Sequence, residues 1–141
     1  MIALDTNLLV YAHRSRTPEH ERAIRAMTRA AISERGWGIA LPCLAEFWAV
    51  VTHPDSVGRP SRAEEVQSFI AQLTAAGMAI WLPQSGFDTR LMESARKMKI
   101  AGARIFDLQI GLIAVEEGAH ELWTHDAGFQ APPGLKCRDP L

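Results

Sequence analysis

Apolar residues along this chain fall into short runs that alternate with longer segments of helical period. Ile2, Ala3 and Leu4 form the first run and stop at Asp5, after which Leu8, Leu9, Val10, Tyr11 and Ala12 open a helix. The segment 17–31 reads as a helix with Thr17 as N-cap and Pro18 at its first position. Ala23, Ile24, Met27, Ala30 and Ala31 form its apolar stripe. Gly36 and Gly38 bracket the next boundary; Ile39, Ala40 and Leu41 then form a second buried strand, and 43–53 an almost wholly apolar helix. A turn-rich loop covers 53–60. Ser61 and Glu64 have capping-box spacing and open a helix to Ala76, with Gly77 at its end. Val66, Phe69, Ile70 and Leu73 on that helix suit either the core or a docking surface. The run 79–82 is a third strand, 85–100 a helix with Gly102 beyond it, 105–117 a helix closed by Gly118, and 121–124 a fourth strand followed by Asp126. Residues 135–137 suggest a last edge strand after the Pro132-Pro133 turn.

Strands that alternate with helices predict an α/β fold, a three-layer α/β/α sandwich around a mostly parallel sheet of four or five strands. At 141 residues and 48% hydrophobic composition, one domain over 1–141 accounts for the whole chain. Ligands of such sheets bind beyond the carboxyl ends of the strands, where Asp5 and Asp126 are expected to lie. Cys43 and Cys137 are too few and too distant in sequence for a disulfide framework, and no closely spaced His/Cys cluster suggests zinc. The N-terminus lacks the pattern of a signal peptide and no apolar run could span a bilayer, so a soluble, cytoplasmic protein is expected.

Four acids stand out because of what surrounds them. Asp5 separates two apolar runs, Glu46 is the only charged residue between Trp37 and Val51, and Asp107 is followed by no charge until Glu116. Burying an unpaired carboxylate costs several kcal/mol, so such groups pair, protonate or bind a cation. Carboxylates gathered at the strand ends with Asp126 would repel one another. A hard, oxygen-preferring ion such as Mg²⁺ or Mn²⁺ would hold them ionised together and could activate a water for attack on a phosphodiester. Thr6, Asn7 and Thr124 are short polar neighbours able to orient the carboxylates. Taken singly, each acid also has an ordinary explanation: Asp5 as an N-cap, Glu46 and Asp107 as acids in a first helical turn, Asp126 as a turn former.

The net charge of −1 gives no global signature of a nucleic-acid binder. Setting aside the four negative charges of the proposed site leaves a remainder of +3, which is compatible with a polyanionic substrate. Arg104, three residues before Asp107, is the foremost candidate phosphate contact, with Arg14 and His125 behind it. Trp37, Trp48, Trp81 and Trp123 lie on or beside core elements and read as packing residues.

In combination, these segments resemble the PIN-domain family, in particular the small VapC-like toxin ribonucleases of bacterial toxin-antitoxin pairs. The resemblance runs over essentially the whole chain. It is carried by Asp5-Thr6-Asn7 after the first strand, Leu44-Ala45-Glu46-Phe47, Ile105-Phe106-Asp107-Leu108, and Thr124-His125-Asp126 before Phe129. Arg104 and Phe106, beside the third acid, depart from many relatives. The resemblance implies Asp5, Glu46 and Asp107 as metal ligands, with Asp126 completing the site directly or through water around one or two Mg²⁺ or Mn²⁺ ions. It further implies cleavage of RNA, a homodimer, and a cognate antitoxin. Two rival readings are a phosphatase of the haloacid-dehalogenase type, which would want an Asp where Asn7 stands, and a catalytically degenerate PIN-like binding module.

Overall fold

The computed structural model describes residues 1–56 and 58–141. Strands β1 (Ile2–Leu4), β2 (Trp37–Ala40), β3 (Met78–Trp81), β4 (Glu121–Trp123) and β5 (Lys136–Arg138) form one sheet, all parallel, in the order β3-β2-β1-β4-β5. The helices are α1 (Thr6–His13), α2 (His20–Ala31), α3 (Leu41–Val51), α4 (Ala63–Ala75), α5 (Phe87–Lys97) and α6 (Arg104–Glu116). The chain steps from β1 to β2 to β3 in one direction and then reverses to β4. Parallel neighbours need crossover connections, which the helices supply, and the result is the three-layer sandwich expected from the sequence. The α1 helix packs on α2 and α3, and α5 on α6.

Leu4, Leu8, Leu9, Ile39, Phe47, Ile110, Ile113 and Leu122 are fully buried between these layers. Gly38 lets two strands and an indole meet. A Cβ there would fall 2.6 Å from the Ala79 carbonyl oxygen and 2.8 Å from the Trp81 ring. That close approach explains why Trp37 and Gly38 belong to β2, whereas the glycine pair had suggested a boundary. Leu41 then starts α3 directly, with Pro42 in its first turn.

Several boundaries differ from the sequence expectation for identifiable reasons. Thr17 does not cap α2: its hydroxyl donates backward to the Arg14 carbonyl at 2.9 Å, and the helix begins at His20. Ile24 is exposed, because the buried face takes the regular series Ala23, Ala26, Met27 and Ala30. Ser61 is not the cap of α4 either. It hydrogen-bonds the His13 ring at 2.8 Å, and Arg62 takes the cap, its backbone N–H donating to the Glu65 carboxylate at 2.8 Å. The α4 stripe faces inward: Val66 is buried, and Phe69, Ile70 and Leu73 pack on the core. Leu82 is exposed beyond β3, and Trp48 is 45% exposed on α3, so it is not a core residue. Val57, within the expected loop 53–60, lies outside the described residues. Among the described residues no helix is long and apolar enough to cross a membrane.

Candidate active site

The direction of the chain reverses between β1 and β4, and a crevice opens at their carboxyl ends, where parallel sheets place their ligands. Asp5 stands at the end of β1. Its backbone N–H donates to the Trp123 carbonyl of β4 at 3.0 Å, so the strand pairing itself fixes the carboxylate at the crevice. Its Oδ1 accepts from the Thr6 N–H at 2.7 Å as the cap of α1, and its Oδ2 accepts from Asn7 Nδ2 at 2.9 Å and Thr124 Oγ1 at 2.6 Å. The capping role and the site role thus coexist in one residue. Asn7 is a donor to Asp5, and both Asp5 oxygens are engaged. An aspartyl-phosphate route wants an acid where Asn7 stands, and Asn7 instead donates to Asp5, so the phosphatase reading loses its support.

The Thr124 hydroxyl is the hub of this arrangement. It donates to Asp5 and accepts from Asn7 Nδ2 at 2.9 Å and from the Asp126 N–H at 3.0 Å. Thr6 reaches across to α3, its hydroxyl donating to Glu46 Oε2 at 2.6 Å. Asp107, on the first turn of α6, and Asp126, after β4, are joined by Arg104: one guanidinium nitrogen, Nη1, lies 2.8 Å from Asp107 Oδ2 and 2.9 Å from Asp126 Oδ2. The four carboxylates line one cleft of about 470 Å³ together with Thr6, Asn7, Val10, Tyr11, Ala49 and Val50.

Their partners divide the acids into two pairs, Asp107 and Asp126 on Arg104, Asp5 and Glu46 on threonine hydroxyls. Desolvation raises the Asp5 carboxyl from 3.8 to about 6 against the opposing hydrogen bonds of Thr124 and Thr6, and the charges of Glu46 and Asp107 push it the same way. Asp126 is lowered, chiefly by the Arg104 hydrogen bond. Among the described residues, neither Asp5 nor Glu46 has a Lys, Arg or His partner within ion-pair distance. An all-carboxylate set with one buried, cation-deficient member has the chemistry of a hard divalent site. As arranged, no three acidic, His or Cys side chains among the described residues are placed to hold one ion, and Arg104 occupies two of the four. The donors fit such an ion in kind and line one cleft, and holding it would require the release of Asp107 and Asp126 from Arg104.

Of the expected substrate contacts, Arg104 lies at the carboxylates. His125 sits at the rim, its Nδ1 2.8 Å from Asp139 and its ring edge-on to Tyr11. Arg14 does not reach the cleft. Its guanidinium donates to the Val51 and Arg59 carbonyls and the Ser56 hydroxyl, tying α1 to the loop after α3. It lines a separate hollow of about 600 Å³ around His13–Thr17 and Gly58–Glu65, which is larger but contains no cluster of acids. The apolar wall of the acidic cleft was overlooked in the sequence, although its signal was there: Val10 and Tyr11 follow Asn7, and Ala49 and Val50 follow Glu46, by three and four residues, and so share their helix faces.

Comparison with known proteins identifies the family and the fold. The PIN domain profile matches residues 2–135. Ribonuclease VapC43 of Mycobacterium tuberculosis is 30% identical over 100% of this chain and 96% of its own length. Ribonuclease VapC48 of the same species is 26% identical over 97% and 95%. Among solved structures, M. tuberculosis VapC20, described as a Sarcin-Ricin loop cleaving toxin, superposes with a TM-score of 0.69 at 12% identity, covering 92% of both chains. A chain of Rickettsia felis VapBC2, crystallised on a DNA fragment from its promoter, gives 0.62 at 21% identity, covering 98% of both. With its profile matched over nearly its full length and its acids gathered at the switch point of a parallel sheet, the chain belongs to the PIN domain family.

Proposed function

We propose that this chain, folded as one domain over residues 1–141, is a divalent-metal-dependent endoribonuclease and the toxin of a toxin-antitoxin pair. The observation that carries the reading is the convergence of Asp5, Glu46, Asp107 and Asp126 on one cleft. The ribonuclease names of the relatives supply the reaction class, and the VapBC2 complex supports an antitoxin partner. A bound Mg²⁺ or Mn²⁺ ion would activate water and offset the charge developing on the leaving oxygen.

The protein's own groups do the positioning. Asp5, Glu46 and Asp107 present the donor oxygens, with Asp126 completing the set directly or through water. Thr124, Asn7 and Thr6 lock the orientations of Asp5 and Glu46 by the hydrogen bonds described above. The wall of Val10, Tyr11, Ala49 and Val50 offers an apolar and aromatic surface to an unpaired base, which suits single-stranded or loop RNA. Arg104 and His125 stand where phosphates would enter. A homodimer belongs to this reading as well, on the family resemblance alone.

Cleavage of single-stranded RNA by purified protein tests the reading. Activity is expected with Mg²⁺ or Mn²⁺. Asp5→Asn, Glu46→Gln and Asp107→Asn should each lower the rate roughly a hundredfold or more, with unchanged circular dichroism. Wild-type rates in the Asp107→Asn protein would contradict it.

A further inference from the structure

Arg104 occupies an electrostatically unusual place. It is the first residue of α6, where the helix dipole presents positive partial charge and favours acids over bases. What compensates is the pair of carboxylates it bridges, Asp107 at 2.8 Å and Asp126 at 2.9 Å, both met by the same nitrogen. The rest of the guanidinium has a shaped seat. Its Nη2 lies over Gly128, and a Cβ at that position would collide with it, while its Cζ would be 3.2 Å away. Gly128 is not in the left-handed region, so its backbone leaves alanine free to stand there; the missing side chain makes room for Arg104. The Asp126 carboxylate is held toward the seat by the Gly128 N–H at 2.8 Å.

We propose that Arg104 is a built-in counter-cation: it clamps Asp107 and Asp126 in the ion-free protein, and a divalent ion must displace it from its seat to recruit them. The inference rests on the metal-site reading above and adds to it a competition between side chain and ion. One positive group between two carboxylates satisfies the same need as the ion does, so the two occupancies exclude each other. The coupling is reciprocal: ion binding frees the guanidinium by as much as the guanidinium weakens ion binding. Once displaced, Arg104 remains at the mouth of the cleft with its charge unpaired, ready for a phosphate of the substrate. Loading with metal would thereby arm the substrate contact.

Calorimetric titration with Mn²⁺ alone, without RNA, tests the clamp in wild type, Arg104→Ala and Gly128→Ala. Both variants are expected to bind Mn²⁺ about fivefold or more tightly than wild type, the lower end of ordinary coupling between sites. Gly128→Ala separates the clamp from simple charge, because it keeps the guanidinium and fills its seat, with a second and looser contact of 3.2 Å to Asp126 Oδ1. Tighter binding in Arg104→Ala but not in Gly128→Ala would reduce the effect to general electrostatics and overturn the proposal, as would unchanged or weaker binding in both. Wild type that binds Mn²⁺ while neither variant gains leaves the metal site standing and sinks only the clamp. Absence of Mn²⁺ binding in all three proteins would refute the metal site together with the clamp. Thermal melts of each variant exclude unfolding as the source of any loss.

Discussion

At the residue scale, Asp5 carries the most consequence. Folding raises its carboxyl from 3.8 to about 6, so the folded protein holds this proton more tightly than the unfolded chain does. The sign follows from linkage. Below about pH 4 the proton is bound in both states and nothing is lost, whereas between about pH 4 and 6 the ion-free fold loses stability as the pH rises. The full penalty, about 2–3 kcal/mol from the size of the shift, applies above pH 6. Denaturant unfolding of the metal-free protein should therefore show Asp5→Asn gaining on wild type between pH 4 and pH 7. Lost hydrogen bonds to Thr124 and Asn7 reduce the absolute value but not the trend. In the other direction, Mn²⁺ needs the ionised form, so its affinity should fall as the pH drops through about 6. A difference between wild type and Asp5→Asn that stays constant with pH would contradict the buried, cation-deficient carboxylate.

At the element scale, two helix ends show how the same motif is built with different residues. Helix α6 closes with Gly118 in the left-handed region and an Ala119 N–H to Ala114 carbonyl bond of 2.9 Å. Helix α5 closes in the same way, with an Ile100 N–H to Ala95 carbonyl bond of 3.0 Å, but Lys99 stands at the left-handed position with φ of 53°. The side chain of Lys99 is exposed, so Lys99→Gly should relieve strain without loss of packing and stabilise by roughly 0.5–1 kcal/mol, visible as a rise in melting temperature. Gly38→Ala should do the opposite, costing about 2 kcal/mol or more, because neither the Ala79 carbonyl nor the buried Trp81 ring can yield easily. These ends also explain what was readable. Periodicity located the strands and helices because burial imposes it, and capping residues failed as markers where a tertiary partner claimed them. Thr17 turned back on Arg14, Ser61 turned to His13, and α5 stopped at Lys97 rather than running to Ile100 because Lys99 assumed the glycine conformation.

At the scale of the whole molecule, the fold brings together acids that are far apart in sequence. Reversal of strand order sets Asp5 beside Thr124, 119 residues away, and α3 carries Glu46 to the same cleft. Asp5, Glu46 and Asp107 stood out beforehand because a charge inside an apolar run needs a reason, and Asp126 because it follows a predicted strand; all four line one cleft. The Arg104 clamp was not: its bond to Asp107 follows from spacing on α6, but Asp126 and the open seat at Gly128 lie on another segment that only the folded chain places there. Nor could spacing show that Arg14, three residues beyond Tyr11, would be consumed by backbone carbonyls rather than reach the substrate. The central claim is hydrolysis of RNA in an acidic, ion-dependent cleft, and the chemistry of the cut ends reports on it most directly. End-group analysis of RNA cleaved by the purified wild-type protein should reveal 5′-phosphate and 3′-hydroxyl termini with Mg²⁺ or Mn²⁺, and intact RNA in EDTA, because water rather than the neighbouring 2′-hydroxyl attacks. Termini bearing 2′,3′-cyclic phosphate, or undiminished cleavage in EDTA, would contradict the account.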